Sequence, residues 1–166
     1  MPSLTKLKLT PCLWFDGNAK EAAEFYTSIF PNSKITHVQN HFRLGGDDID
    51  PNNLVLIVEF ELDGHRFVGL NGGPQFKFNE AVSFQIDCAN QEEVDYYYEK
   101  LSEGGDPARS DCGWVADKFG LSWQIIPTAL KTMLASEDRE AAARAGAAMN
   151  TMKKFNIAEL EKAFKG

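Results

Sequence analysis

Apolar positions along the chain alternate between two rhythms, and the order of those rhythms repeats. Residues 7–15 read as a strand. Asn18 then opens a segment with Glu21 three positions on. This is a capping-box pattern, in which the Asn side chain takes an orphan helix amide and the Glu reaches back. Ala22, Phe25, Tyr26, Ile29 and Phe30 follow on one helical face, and Pro31 stops it. Residues 34–42 and 54–62 read as strands, Asp63-Gly64 as a tight turn, and 65–71 as the returning strand.

The same order returns 72 positions later, where Asn90 and Glu93 repeat the box. Val94, Tyr97, Tyr98 and Leu101 repeat the stripe, and Gly104-Gly105 ends it. A strand over 81–88 precedes this helix. A short piece near 108–111, residues 114–117, a turn around Gly120, and 121–126 follow it. Each half thus reads as strand, helix, then two or three antiparallel strands. Residues 45–53 read as a polar, acidic loop, and Gly72-Gly73-Pro74 as the start of the passage between halves. Phe76 and Phe78 alternate there like a strand with one buried edge. Beyond Pro127 the pattern turns helical: 128–133, an Ala-rich stretch over 137–152, and a last helix with Ile157, Leu160 and Phe164 on one face. The Ala-rich helix permits close approach, either to its own domain or to a second subunit.

Composition narrows the function classes. At 166 residues, with 43% hydrophobic and 25% charged residues, the chain suits one soluble domain with a real core. No apolar run reaches the length of a membrane span, and residues 1–10 lack a signal-peptide stretch. A net charge of −7 disfavours general nucleic-acid binding. Three well-separated cysteines, Cys12, Cys88 and Cys112, suggest neither a disulfide framework nor a zinc knuckle, which points to a reducing cytoplasm.

Two strand-helix-strand-strand-strand modules in tandem resemble the vicinal oxygen chelate superfamily of glyoxalase I, bleomycin-resistance proteins and extradiol dioxygenases. Locally the sequence is closer to the PhnB-like branch, described as 3-demethylubiquinone-9 3-methyltransferase. The similar stretches are Leu13-Trp14-Phe15, Ala22 through Pro31, Leu70-Asn71-Gly72-Gly73-Pro74, Ser83-Phe84, Cys112-Gly113-Trp114 and Asp117-Lys118-Phe119-Gly120-Leu121-Ser122-Trp123-Gln124-Ile125, with Met152-Lys153-Lys154 and residues 157–163 in the tail. The resemblance implies an α+β fold of two βαβββ modules, at 4–75 and 76–128, with a helical tail over 129–166, all within a single domain spanning 1–166. It also implies a homodimer, and a sheet curled into a trough whose convex face carries the helices.

Strand alternation then sorts side chains between the helices and the trough. Val82, Phe84, Ile86, Val68, Leu70, Leu121, Trp123 and Ile125 are expected toward the helices. Phe67, Gly69, Asn71, Ser83, Gln85, Asp87, Ser122 and Gln124 are expected in the trough, and Lys8, Thr10, Cys12 and Trp14 share one face. Metal-dependent members of the superfamily place one His or Glu on each of four strands. Laid on this chain, the pattern falls near Thr10, Gly69, Ser83 and Gln124. Neutral oxygens cannot balance a divalent charge and glycine has no side chain, so the expectation is no metal and no cofactor. His37 and His41 sit in strand-like surroundings and His65 follows a turn, so none suggests a ligand set. Gly45-Gly46, Gly72-Gly73 and Gly104-Gly105 lack the spacing of a nucleotide-binding loop before a helix. Asp117 and Lys118 read as a solvated pair at a turn. Cys112 lacks a base nearby in sequence, and packing is the simpler role for all three cysteines.

The candidate ligand-binding residues are therefore Trp14, Asn71, Ser83, Gln85, Trp114 and Gln124: two aromatic walls and a set of amide and hydroxyl groups. They suit a small organic molecule held in the trough. The alternatives are an enzyme of glyoxalase or dioxygenase type, a methyltransferase as the branch is described, or an interaction protein with its trough closed by side chains. No sequence feature names the ligand.

Overall fold

A computed structural model describes residues 8–41 and 55–166. The expected loop at 45–53, and Leu7, Phe42 and Leu54 at the ends of expected strands, lie outside the described residues. The chain divides into two compact units, Met1–Lys77 and Phe78–Gly166. The helical tail is part of the second unit.

In the first unit, β1 (Cys12–Phe15), α1 (Ala19–Ile29), β2 (Lys34–Asn40), β3 (Val55–Leu62) and β4 (His65–Asn71) follow in that order. The sheet order is β1-β4-β3-β2, with β1 parallel to β4 and the other pairs antiparallel. Strand β1 is shorter than the apolar pattern suggested: residues 8–11 are not strand. The helix presents Ala19, Ala22, Ala23, Tyr26 and Ile29, all buried, to the sheet. Tyr26 stacks on Phe60, which stacks on Phe67, with centroids 6.2 and 5.5 Å apart.

That stack overturns the expected facing of β4. Phe67, Gly69 and Asn71 turn toward α1, and Val68 and Leu70 turn away. The reason is close approach. A Cβ on Gly69 would stand 3.2 Å from the Ala19 Cβ, so a helix packed this near the sheet accepts glycine there. Sorting by aliphatic bulk misses this.

The capping box expected at Asn18 does not form, since its side chain makes no cap hydrogen bond. Instead the Ala19 amide donates to Asn71 Oδ1 at 2.9 Å, and Asn71 Nδ2 donates to the Val55 carbonyl at 2.9 Å. A residue 52 positions away caps the helix, a bond of the kind worth about 1 kcal/mol. Asn71 is 6% exposed, and its role is to join helix and sheet.

The second unit repeats the plan with one departure. Its elements are β5 (Ser83–Cys88), α2 (Gln91–Ser102), β6 (Trp114–Ala116), β7 (Ser122–Pro127), α3 (Thr128–Leu134), α4 (Arg139–Met149) and α5 (Ile157–Lys165). The sheet order is β5-β7-β6, with β5 parallel to β7 and β6 antiparallel to it. The short strand expected near 108–111 is absent. A 3-10 turn at Pro107–Arg109, capped by Asp106 Oδ1 accepting from the Ala108 amide, occupies that stretch. At α2 the capping interactions do form: the Glu93 amide donates to Asn90 Oδ1 at 2.9 Å, and Glu93 Oε2 accepts from the Ala89 amide at 2.7 Å.

Two further expectations change here. Val82 precedes β5 and is 65% exposed rather than packed. Phe76 and Phe78 form no strand; Phe76 is exposed and sets its ring edge-on to Trp14, with centroids 5.0 Å apart.

The tail packs on its own unit. The Cys112 and Gly113 amides donate to the Met152 and Lys153 carbonyls at 2.9 and 2.8 Å. Gln91 Nε2 donates to the Phe155 carbonyl and Gln91 Oε1 accepts from the Ile157 amide. Lys154 pairs with Asp95 at 2.7 Å. Arg144 donates to the Ala163 and Phe164 carbonyls, closing the C-terminal end of α5 on α4.

Candidate functional site

Alternation along β5, β6 and β7 leaves the second unit's sheet with two unlike faces. Leu121, Trp123, Ile125 and Val115 are buried with Val94 and Leu101 of α2. Phe84 joins them, its ring 5.6 Å from that of Trp123. The opposite face, clear of α2, carries Ser83, Gln85 and Asp87 on β5, Ser122, Gln124 and Ile126 on β7, and Trp114 and Ala116 on β6. Register sets these in rows: Ser83 beside Ser122 beside Ala116, then Gln85 beside Gln124 beside Trp114.

Four of the six expected ligand-binding residues therefore share one face of one sheet. Gln124 Nε2 donates to Ser83 Oγ at 2.8 Å, a diagonal bond across β5 and β7. Gln85 Nε2 donates to Asp87 Oδ1 at 2.7 Å, and Asp87 pairs with Lys131 from α3. The Lys131 ammonium first, and the Gln85 amide second, hold the Asp87 carboxyl below the usual carboxylate range. At the other end, Arg109 reaches in from the 3-10 turn. Its Nη2 donates to Ser122 Oγ at 3.1 Å, its Nη1 to the Gly120 carbonyl at 3.1 Å, and its Nε to the Glu80 carboxylate. Sequence reasoning missed Arg109, because the stretch was read as strand and nothing local ties it to Ser122.

Asn71 does not belong with these groups. It was expected in the trough, and the structure turns it to α1, where both ends of its carboxamide are engaged. Trp14 does lie on the helix-free face of its own unit's sheet, in register with Leu70, while Leu13 and Phe15 point to the core. Its indole Nε1 donates to the Gly73 carbonyl at 2.8 Å, and a Cβ on Gly72 would fall 2.2 Å from the ring. That face is apolar near Trp14, with Val55, Ile57, Val68 and Leu70 half-buried. It is charged toward β2, where His37 stands opposite Glu59 and Lys34 pairs with Glu61.

The glycine pairs have structural explanations. Gly72 makes room for Trp14, Gly73 takes a left-handed φ of +97°, and Gly104-Gly105 ends α2, with a Cβ on Gly105 only 2.0 Å from the Ala116 carbonyl oxygen. Gly45-Gly46 lies outside the described residues. Of the three cysteines expected to pack, Cys88 is buried, and burial, with Glu93 and Asp87 nearby, pushes its thiol up to about 12; Cys12 is exposed and Cys112 half-buried, though partial desolvation raises both thiols. Asp117 is not solvated as expected but 2% exposed.

The four positions of the superfamily's metal pattern do not fit a divalent ion. Thr10, Ser83 and Gln124 offer neutral oxygens, Gly69 faces α1, and its β4 neighbours on the helix-free face are Val68 and Leu70. Among the described residues no three His, Cys, Asp or Glu side chains are grouped as a metal would require.

Comparisons with known proteins bear on the fold and the family. The model of the family described as 3-demethylubiquinone-9 3-methyltransferase matches residues 7–126. Among solved structures, the PhnB protein from Bacillus cereus is 32% identical over 74% of this chain and all of that one, with a TM-score of 0.61. A Pseudomonas aeruginosa protein is 18% identical over 74% of this chain and 98% of its own, with a TM-score of 0.57. The fosfomycin resistance protein FosX from Listeria monocytogenes is 19% identical over 80% of this chain and all of its own, with a TM-score of 0.50. The latter two speak to fold alone. No curated protein matches.

Proposed function

The chain belongs to the family described as 3-demethylubiquinone-9 3-methyltransferase, a PhnB-like branch with the vicinal oxygen chelate fold, and from that premise we propose that it binds a small organic molecule on the face of the β5-β7-β6 sheet turned away from α2, without a divalent metal. The observation that carries the reading is the uncharged row of Gln85, Gln124 and Trp114 on one face, with Ser83 bonded diagonally to Gln124. An indole plane and a carboxamide in one row give an apolar wall and directional hydrogen bonds, the usual make-up of a small-molecule site. Gln124 spends one amide hydrogen on Ser83; its carbonyl and second hydrogen remain for a ligand or water. Trp14 would serve its own unit's helix-free face in the same way. Asn71 drops out of the set.

The donor chemistry also argues against routing a reaction through a metal at these positions, since nothing there balances two positive charges. The proposal places the protein in the cytoplasm as a homodimer. No helix among the described residues is long and apolar enough to cross a membrane. The tail gives the dimer no support, because it packs on its own unit.

A fragment library screened by indole and side-chain amide NMR tests the site. Hits should shift the Trp114 indole N–H and the Gln124 amide together, and Gln124→Leu should weaken them roughly tenfold, the loss of one good hydrogen bond. Hits that leave both signals unmoved would refute this placement.

A further inference from the structure

Hydrogen-bond arithmetic on that face is lopsided. Ser122 is 2% exposed and its Oγ accepts from Arg109, which anchors the guanidinium at the end of the row. Ser83 Oγ accepts from Gln124 in the same way. Among the described residues, the Trp114 indole N–H has no acceptor, and neither does the second amide hydrogen of Gln124. The carboxylate that pairs with Arg109 is Glu80, on the stretch leading into β5. Glu80 keeps its side chain 58% exposed while that of Arg109 is 23% exposed. A guanidinium held by a buried serine and a backbone carbonyl is fixed in place; the Glu80 carboxylate, which also accepts a hydrogen bond from its own backbone, is the exposed member of the pair.

We propose that the ligand of this face carries an oxyanion, a carboxylate or phosphoryl group, which Arg109 receives in the position Glu80 now holds, while Gln124 and Trp114 hold the rest of the molecule. This rests on the small-molecule reading above and gives it a substrate class. Arg109 offers paired N–H groups in a plane, the geometry that carboxylate and phosphoryl oxygens match. Glu80 is then an internal competitor. It keeps the guanidinium paired when the face is empty and swings to solvent when a ligand anion arrives.

The test compares benzoate, phenyl phosphate and neutral benzyl alcohol on the intact protein, reading the Trp114 indole and Arg109 Nε signals. Either anion should move both signals, which of them binds tighter distinguishing carboxylate from phosphoryl recognition, and benzyl alcohol should bind at least tenfold more weakly. Glu80→Gln should tighten anion binding by roughly threefold to tenfold by removing the competitor. Arg109→Gln should erase the preference for anions. Should that variant unfold, Ser122→Ala removes one hydroxyl only and should weaken the anions by roughly fivefold. If benzyl alcohol moves Trp114 as strongly as the anions, with Arg109 unmoved, the oxyanion inference fails while the small-molecule face stands. If none of the three moves Trp114, the inference and the face both fail.

Discussion

Asp117→Ala is expected to destabilise the second unit by about 3–5 kcal/mol, the largest effect of any single truncation described here. Asp117 is 2% exposed. Its Oδ1 accepts from the Phe119 and Leu121 amides at 2.9 and 3.0 Å, and its Oδ2 from the Trp123 indole Nε1 at 2.8 Å. One carboxylate thus closes the β6-β7 turn and pins the largest aromatic of the unit's core. Alanine would orphan three donors, at least two of them buried, each costing about 1–3 kcal/mol. Asp117→Asn keeps one acceptor oxygen and should lose less. Glu103→Ala, on an exposed residue after α2, should stay within about 0.5 kcal/mol. Chemical denaturation followed by Trp123 fluorescence separates the three; an alanine variant as stable as the wild type would remove Asp117 from the account of the core.

Gly113→Ala is the second large effect, about 3 kcal/mol. Gly113 has φ +78°, and a Cβ there would stand 2.4 Å from Phe155 Cε2 and 2.9 Å from the Ile125 carbonyl oxygen. Phe155 is 1% exposed and cannot withdraw. The left-handed backbone costs about 1–2 kcal/mol for a residue with a Cβ, and forcing an atom into a filled core adds about 1–3 kcal/mol. Because Gly113 also bonds the Lys153 carbonyl, hydrogen exchange at Cys112 and Gly113 should speed up together as the tail lifts. Gly146→Ala should have the opposite sign. On α4 its Cβ would meet nothing nearer than Leu134 Cδ2 at 3.6 Å, and the helix gains up to about 1 kcal/mol. Equal and small effects at both glycines would contradict the packing of the tail on β6 and β7.

Local patterns were legible and long-range partners were not. Periodicity located both long helices of the repeated modules and the hairpin at Asp63-Gly64, because a helix stripe and a tight turn are encoded within a few residues. The capping box was read correctly at Asn90 and wrongly at Asn18, although the two sequences look alike. What differs is Asn71, which arrives through tertiary structure to take the Ala19 amide, and no local rule contains it. The facing of β4 failed for a related reason: Gly69 lies under Ala19, and how near a helix approaches is a property of the pair. In β7 the same alternation rule worked, since Leu121, Trp123 and Ile125 are uniformly apolar and outweigh the alternative. Candidate residues on β5, β6 and β7 were reachable because each strand's parity decides its face. Arg109 was not, since its partners Glu80 and Ser122 lie 29 and 13 positions away.

On the proposed reading, Ser83 and Gln124 offer neutral oxygens in place of a His or Glu pair, and the β5-β7-β6 face holds no divalent ion. Titrating metal-free protein with Mn2+ and Zn2+, while following the Trp114 indole and Gln124 amide signals, tests this most directly. No saturable one-to-one binding that moves either signal is expected. A single ion per chain that shifts both, and is lost in Gln124→Leu, would contradict it.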